Sequence, residues 1–159
     1  MKNIIICDLD GTLCDIEHRR AHVTTTPKNW DSFFYGIEDD TVNEAVHAVL
    51  QAWLNEQDFE DDTLEDDERR VIFCSGRPER CRQDTLMWLI NNYEGPVGDA
   101  YLYMRKDGDY RPDDIVKEEI LNTHIDKDRV MFVLDDRQQV VDMWRRNGLQ
   151  CFQVAEGNF

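Results

Sequence analysis

Five short apolar stretches recur along the chain, at residues 3–7, 71–74, 100–104, 130–134 and 150–154, and each is rich in residues that favour extended backbone. In most of them the apolar residues are consecutive rather than alternating, the pattern of strands covered on both faces in a parallel sheet. Between them apolar positions fall at helical spacing. Val42, Ala45, Val46, Val49, Leu50 and Trp53 follow the i, i+3, i+4, i+7 rule, with Thr41 placed to cap the helix. Residues 79–92 carry Leu86, Leu89 and Ile90 on one face, and residues 114–123 carry Ile115, Ile120 and Leu121. Residues 137–147 carry Val140, Val141 and Trp144, with Gly148 as the stop. The alternation of strand and helix predicts an α/β fold with a doubly wound, mainly parallel five-stranded sheet. Without an internal repeat or a Pro/Gly-rich linker, residues 1–159 read as a single domain. Ligands gather at the carboxyl ends of the strands in such folds, so the polar residues that follow each strand matter most.

Charge adds an asymmetry. The 159 residues carry 34 acidic against 18 basic side chains, a net charge of −16. Fourteen of the acids lie between Asp31 and Glu68, where no Lys or Arg occurs, and the remainder is close to neutral. The densest part, segment 56–68, reads as a solvated acidic insertion. No apolar run approaches the length of a membrane span, and charge arrives too early for a signal peptide, so a cytoplasmic protein is expected. Five cysteines without a CxxC pair read as reduced, buried side chains. His18 and His22 can share a helix face, but no third ligand stands near them to make a zinc site.

The strand ends carry the chemistry. After the first come Asp8, Leu9, Asp10, Gly11 and Thr12. Side chains alternate along a strand, so Asp8 and Asp10 project to one side, roughly 7 Å apart. Two crowded carboxylates make sense around a cation, or as a nucleophile beside a general acid. A calcium loop is excluded because its twelfth position, residue 19, is Arg rather than Glu. After the second strand, Ser75-Gly76-Arg77 offers a hydroxyl, a turning backbone and a guanidinium, a set suited to phosphate oxygens. Lys117 lies in the helix that follows Asp113, and Asp135-Asp136 follows the fourth strand. Such an oxygen-rich set suits Mg²⁺. Each element alone is weak, but all four in this order are specific.

In this order the segments Asp8-Leu9-Asp10-Gly11-Thr12-Leu13, Ser75, Lys117 and Asp135-Asp136 resemble motifs I to IV of the haloacid dehalogenase (HAD) superfamily. Residues 71–77, 111–120 and 135–159 are similar to the 3′-phosphatase domain of the polynucleotide kinase/3′-phosphatases of bacterial viruses. The GxxxxGK[ST] loop of their kinase half does not occur in this sequence. The resemblance implies a Rossmann-like core with a small acidic cap or insertion within residues 14–70. It implies removal of 3′-phosphate from DNA or RNA ends through an aspartyl-phosphate, in nucleic-acid repair. Asp8 would be the nucleophile and Asp10 the general acid. Asp8, the Asp10 carbonyl and Asp136 would hold Mg²⁺, with Asp135 either ligating it directly, capping a helix or orienting another group. Ser75, Gly76, Arg77 and Lys117 would hold the phosphoryl oxygens, with Thr12 on the same substrate side. Arg19 would contact the phosphate, and Asp113 would orient Arg77 or Lys117. Two alternatives stay open: a phosphatase of free nucleotides or other small phosphomonoesters, and a noncatalytic binding module using its acidic run. A separate kinase or ligase partner is left open as well. Trp144, Phe152 and Phe159 read as packing residues. Tyr101 and Tyr103 read as one aromatic strand face, suited to core packing or base stacking, and Trp30, Phe33, Phe34 and Tyr35 as cap aromatics for which stacking on a terminal base is open. The net charge does not exclude a nucleic-acid end, since most of the acids lie outside the motifs. It favours modest affinity for a strand terminus over tight binding along a backbone.

Overall fold

The computed structural model describes residues 1–55 and 68–157. Most of the acidic segment 56–68, and Phe159, lie outside the described residues. Five parallel strands form the main sheet: β1 (Ile4–Cys7), β4 (Arg70–Pro78), β5 (Leu102–Arg105), β6 (Val130–Asp135) and β7 (Cys151–Gln153). Their spatial order is β5-β4-β1-β6-β7. The doubly wound parallel sheet expected from the sequence is therefore present. From β1 the chain runs outward through β4 and β5, then returns to the other side of β1 for β6 and β7. That reversal opens a crevice at the carboxyl end of β1.

The alternation of side chains along β1 divides the core in two. Ile4 and Ile6 face one layer with Ile72, Val133, Val140 and Trp144, under α5 (Asp113–His124) and α6 (Gln138–Arg146). Ile5 and Cys7 face the other, with Phe73, Leu50, Trp53 and Trp88, under α3 (Glu44–Asn55) and α4 (Arg82–Asn92). All five cysteines are free and buried, as expected.

Between β1 and α3 lie two short helices, α1 (Glu17–Thr24) and α2 (Trp30–Tyr35), and a small antiparallel ribbon of β2 (Cys14–Asp15) and β3 (Thr41–Val42). Thr41 therefore pairs with Asp15 rather than capping α3. The Asn43 amide donates to Leu13 O and its side chain to Thr12 O, which ties the entry of α3 to the loop after β1. Val49, Ile90 and Ile115 face solvent, and the buried helix faces are Val46–Leu50–Trp53, Thr85–Trp88–Leu89 and Val116–Lys117–Ile120–Leu121. Phe152 is half-exposed on the outer strand, edge-on to Phe132. Tyr101 precedes β5, and Tyr103 stacks on His124.

Candidate active site

The Asp8 amide donates to Leu134 O, extending the sheet ladder one residue past β1 and fixing the Asp8 side chain at the crevice. Gly11 follows at φ 83°, and this left-handed residue turns the chain so that the Thr12 and Cys14 amides return to Leu9 O. Asp8 Oδ1 accepts from Lys117 Nζ at 2.8 Å. Lys117 is buried on α5 and also reaches Asp135 Oδ2 at 3.0 Å and Asp113 Oδ2 at 3.5 Å. Burial works against its charge, but Asp135, Asp8 and Asp113 outweigh it and keep the ammonium protonated. Asp135 is held in turn by the Trp144 indole N–H at 3.1 Å and the Arg137 amide at 3.2 Å. The Thr12 hydroxyl stands 3.4 Å from both Asp8 Oδ2 and Asp136 Oδ1.

A second charged cluster surrounds Asp10. Arg77 donates to Asp10 through Nε and Nη2, at 3.0 and 2.6 Å from Oδ1, and Arg19 Nη2 donates to the same Oδ1. Both guanidiniums are buried and share Asp40, which accepts from Arg19 Nε at 2.6 Å and Arg77 Nη2 at 3.0 Å. Arg77 Nη1 also donates to Thr85, and the Arg19 guanidinium lies 4.1 Å over the Phe33 ring centroid. Burial pushes the Asp10 carboxyl up, but Arg77 and Arg19 overcome it and hold it well below the usual carboxylate range. The sequence carries no signal for Asp40, one of the fourteen acids of the base-free stretch between Asp31 and Glu68. No motif marks it, and only its burial distinguishes it from its neighbours.

The crevice opens into a cavity of about 400 Å³. Asp8, Asp10, Gly76, Asp113 and Asp136 line it, whereas Thr12, Arg19, Ser75, Arg77, Lys117 and Asp135 stand behind them. Several of the expected site residues are engaged by protein partners in this structure. Arg19 and Arg77 are turned onto Asp10 and Asp40 rather than into the cavity, because two buried carboxylates already match their donors. The Ser75 hydroxyl accepts from the Arg77 amide at 3.2 Å, since β4 continues through the motif instead of ending before it. Asp113 orients Lys117 and Arg105, the latter at 3.1 Å, and not Arg77. Arg105 also donates to Gly76 O, which joins the ends of β4 and β5. Sequence reasoning missed Arg105 too. The cavity walls carry Trp30, Phe33 and Phe34 on one side and Arg80, Lys106, Tyr110 and Arg111 elsewhere.

Comparison with known proteins gives this geometry a family. The model of the polynucleotide kinase PNKP phosphatase domain matches residues 2–159. The chain belongs to that family. It is 36% identical, with a TM-score of 0.71, to a chain in the structure of the Pnkp1/Rnl/Hen1 RNA repair complex, over 98% of its own length. A further Pnkp1/Rnl/Hen1 complex gives 35% identity and a TM-score of 0.73 over 100% of its length. The chain spans only 43% and 48% of those two chains. A class C acid phosphatase from Bacillus anthracis with tungstate bound shares the fold, at 13% identity and a TM-score of 0.65, over 100% of this chain and 69% of the other. This domain is a HAD-type phosphatase, a phosphomonoester hydrolase, and the binding-module alternative falls.

Oxygen atoms of Asp8, Asp135 and Asp136 lie within 4.8 Å of one another, and all three residues are buried. Burial and the neighbouring carboxylates push Asp8 well up despite Lys117. Burial, then Asp135, push Asp136 up to about 6. A crowd of carboxylates that resists ionisation suits a hard divalent cation, whose charge would offset the repulsion. Asp10, Asp40 and Cys14 also converge, but the Arg19 and Arg77 guanidiniums fill the space between them.

Proposed function

We propose that this domain removes the 3′-phosphate from nucleic-acid ends, with Mg²⁺ as cofactor, in RNA repair. The observation that carries the reading is the pairing of a lysine-held Asp8 with a cavity walled by aromatic rings and basic side chains. The similarity to chains of RNA repair complexes supports the nucleic-acid context.

Lys117 fixes Asp8 Oδ1 and leaves the second carboxylate oxygen to attack phosphorus. The bond to the 3′ oxygen breaks as the aspartyl-phosphate forms, and the departing oxygen takes a proton. Water then attacks phosphorus, restoring the Asp8 carboxylate and releasing phosphate. Asp10 is the acid and base of these steps. As it stands, clamped by two guanidiniums, Asp10 is ionised but a weak base, and it can trade protons with the leaving group and the attacking water only once those donors are drawn away. A phosphoryl group that draws Arg19 and Arg77 onto its own oxygens frees Asp10 to carry a proton for the leaving group, which gives both arginines, and Ser75 beside them, their substrate role. Asp8 and Asp136, with Asp135 behind them, would hold Mg²⁺, which when bound offsets the negative charge gathered there.

Phosphate release is to be measured with 3′-phosphorylated RNA, 3′-phosphorylated DNA and 3′-mononucleotides, with and without Mg²⁺. The polynucleotide ends turn over faster than the mononucleotides, and equal or faster mononucleotide turnover would sink the reading. Asp8→Asn lowers the rate by about three orders of magnitude or more while the melting temperature stays near that of the wild type. Surviving activity in that variant would remove Asp8 as nucleophile.

A further inference from the structure

Helix α2 places its aromatic side chains in two environments. Phe33 is fully buried under Arg19. Trp30 and Phe34 line the cavity, their rings stacked with centroids 5.9 Å apart and planes 22° apart. Trp30 meets Phe33 edge-on at 5.8 Å and is 40% exposed. A large apolar side chain left this open beside an active-site cavity has surface to give to a ligand. Its ring already draws a cation, with Lys28 Nζ 5.4 Å from the centroid, and that exposed lysine can yield the face to a planar group.

The rest of the rim carries basic side chains among acidic ones, and Arg80 and Arg111 are ion-paired to Asp31 and to Asp109 and Glu119. Arg80 lies just beyond β4, and Lys106 and Arg111 lie in the loop after β5. These charges suit phosphate in a molecule whose net charge is −16. Stacking rings beside cationic side chains form the combination that binds single-stranded nucleic acid. At about 400 Å³ the cavity falls at the small end of ligand sites, room for one nucleotide rather than an extended strand.

Given the 3′-phosphatase reading, on which this inference rests, the scissile phosphate sits at Asp8. The base that shares its sugar is then the group within reach of α2. We infer that Trp30, backed by Phe34, is the stacking platform for the base of the 3′-terminal nucleotide. Arg80 and Arg111 receive the preceding internucleotide phosphate. Trp30 is thus a specificity-determining residue that acts through stacking rather than base-edge readout.

The test compares two single-stranded 3′-phosphorylated oligonucleotides, identical except that one lacks its 3′-terminal base. Each is assayed with wild type, Trp30→Phe and Trp30→Ala, with p-nitrophenyl phosphate as a control ester. Wild type prefers the base-bearing end by about tenfold in kcat/KM, mostly through KM. Trp30→Ala brings that ratio close to one, and Trp30→Phe keeps most of it. A melting curve on each variant ensures that only folded protein is compared. An unchanged ratio in Trp30→Ala, or no base preference in wild type, overturns the inference while leaving the 3′-phosphatase reading intact. Hydrolysis of p-nitrophenyl phosphate with neither oligonucleotide turned over overturns both.

Discussion

Asp10, Asp40, Arg19 and Arg77 form a buried ionic cluster in which each guanidinium bridges both carboxylates. Removing four charges from water is costly, so the cluster adds little net stability, but removing one member strands the others. Asp40→Ala leaves two guanidiniums to share Asp10. A loss of about 3–5 kcal/mol in urea unfolding is expected, together with loss of activity as Asp10 loses its orientation. A variant as stable and as active as the wild type would show that Asp40 holds nothing in place. At the neighbouring carboxylates, the sign of the pH dependence follows from Asp136. Without a metal its carboxyl is raised from 3.8 to about 6, by burial and then by Asp135. The folded chain therefore binds this proton more tightly than the unfolded chain does. The contribution to stability is fully present below the ordinary carboxylate value and is lost as pH rises through about 6. Mg²⁺ needs the ionised carboxylates, so its affinity falls as pH drops through the raised range of Asp136 and Asp8. Melting curves at pH 5 and 7, with and without Mg²⁺, check both halves. Added metal stabilises strongly at pH 7 and weakly at pH 5, and equal stabilisation at both would refute the assignment.

At the scale of elements, the strands and the residues at their ends were legible because parallel strands are continuous apolar runs and the motifs follow them. The two helices after β1 were not. In α1 the buried residues are Arg19 and Val23, so half of its inward face is a guanidinium and no apolar stripe forms. With only six residues, α2 is too short to show a period. The directions of Arg19 and Arg77 were equally hidden, because a guanidinium suits a carboxylate as well as a phosphate. The end of the described chain was legible as a motif, and its packing gives the physical reason. Val154 N donates to Asp135 O, the Gln153 side chain donates to Asp136 O, and Gly157 N donates to the same carbonyl. A Cβ at Gly157 would overlap the Asp136 carboxylate and crowd the Arg137 amide. Gly157→Ala should therefore displace Asp136 and raise the Mg²⁺ concentration for half-maximal activity about tenfold or more. An unchanged metal titration would show that the segment does not position Asp136.

For the whole molecule, a net charge of −16 and a nucleic-acid substrate can coexist only if few phosphates are engaged. The rim supports this. Arg80 is paired with Asp31 at 2.7 Å, and Arg111 with Asp109 at 2.6 Å and Glu119 at 2.7 Å. Arg105 is paired with Asp113 at 3.1 Å. Each of these bases is partly neutralised by its own protein and has little charge left to track a long backbone. Salt dependence measures the number of contacts, because each phosphate neutralised on a single strand adds about −0.7 to the slope of log affinity against log salt. A domain that grips one strand terminus should give a slope of about −1 to −2 for 1/KM. KM should also stop improving once the oligonucleotide exceeds roughly two or three nucleotides, since further phosphates lie beyond the rim and in the repulsive mean field. A slope steeper than about −4, or an affinity that keeps rising with strand length or duplex character, would require a binding track that the cavity and its paired bases do not supply.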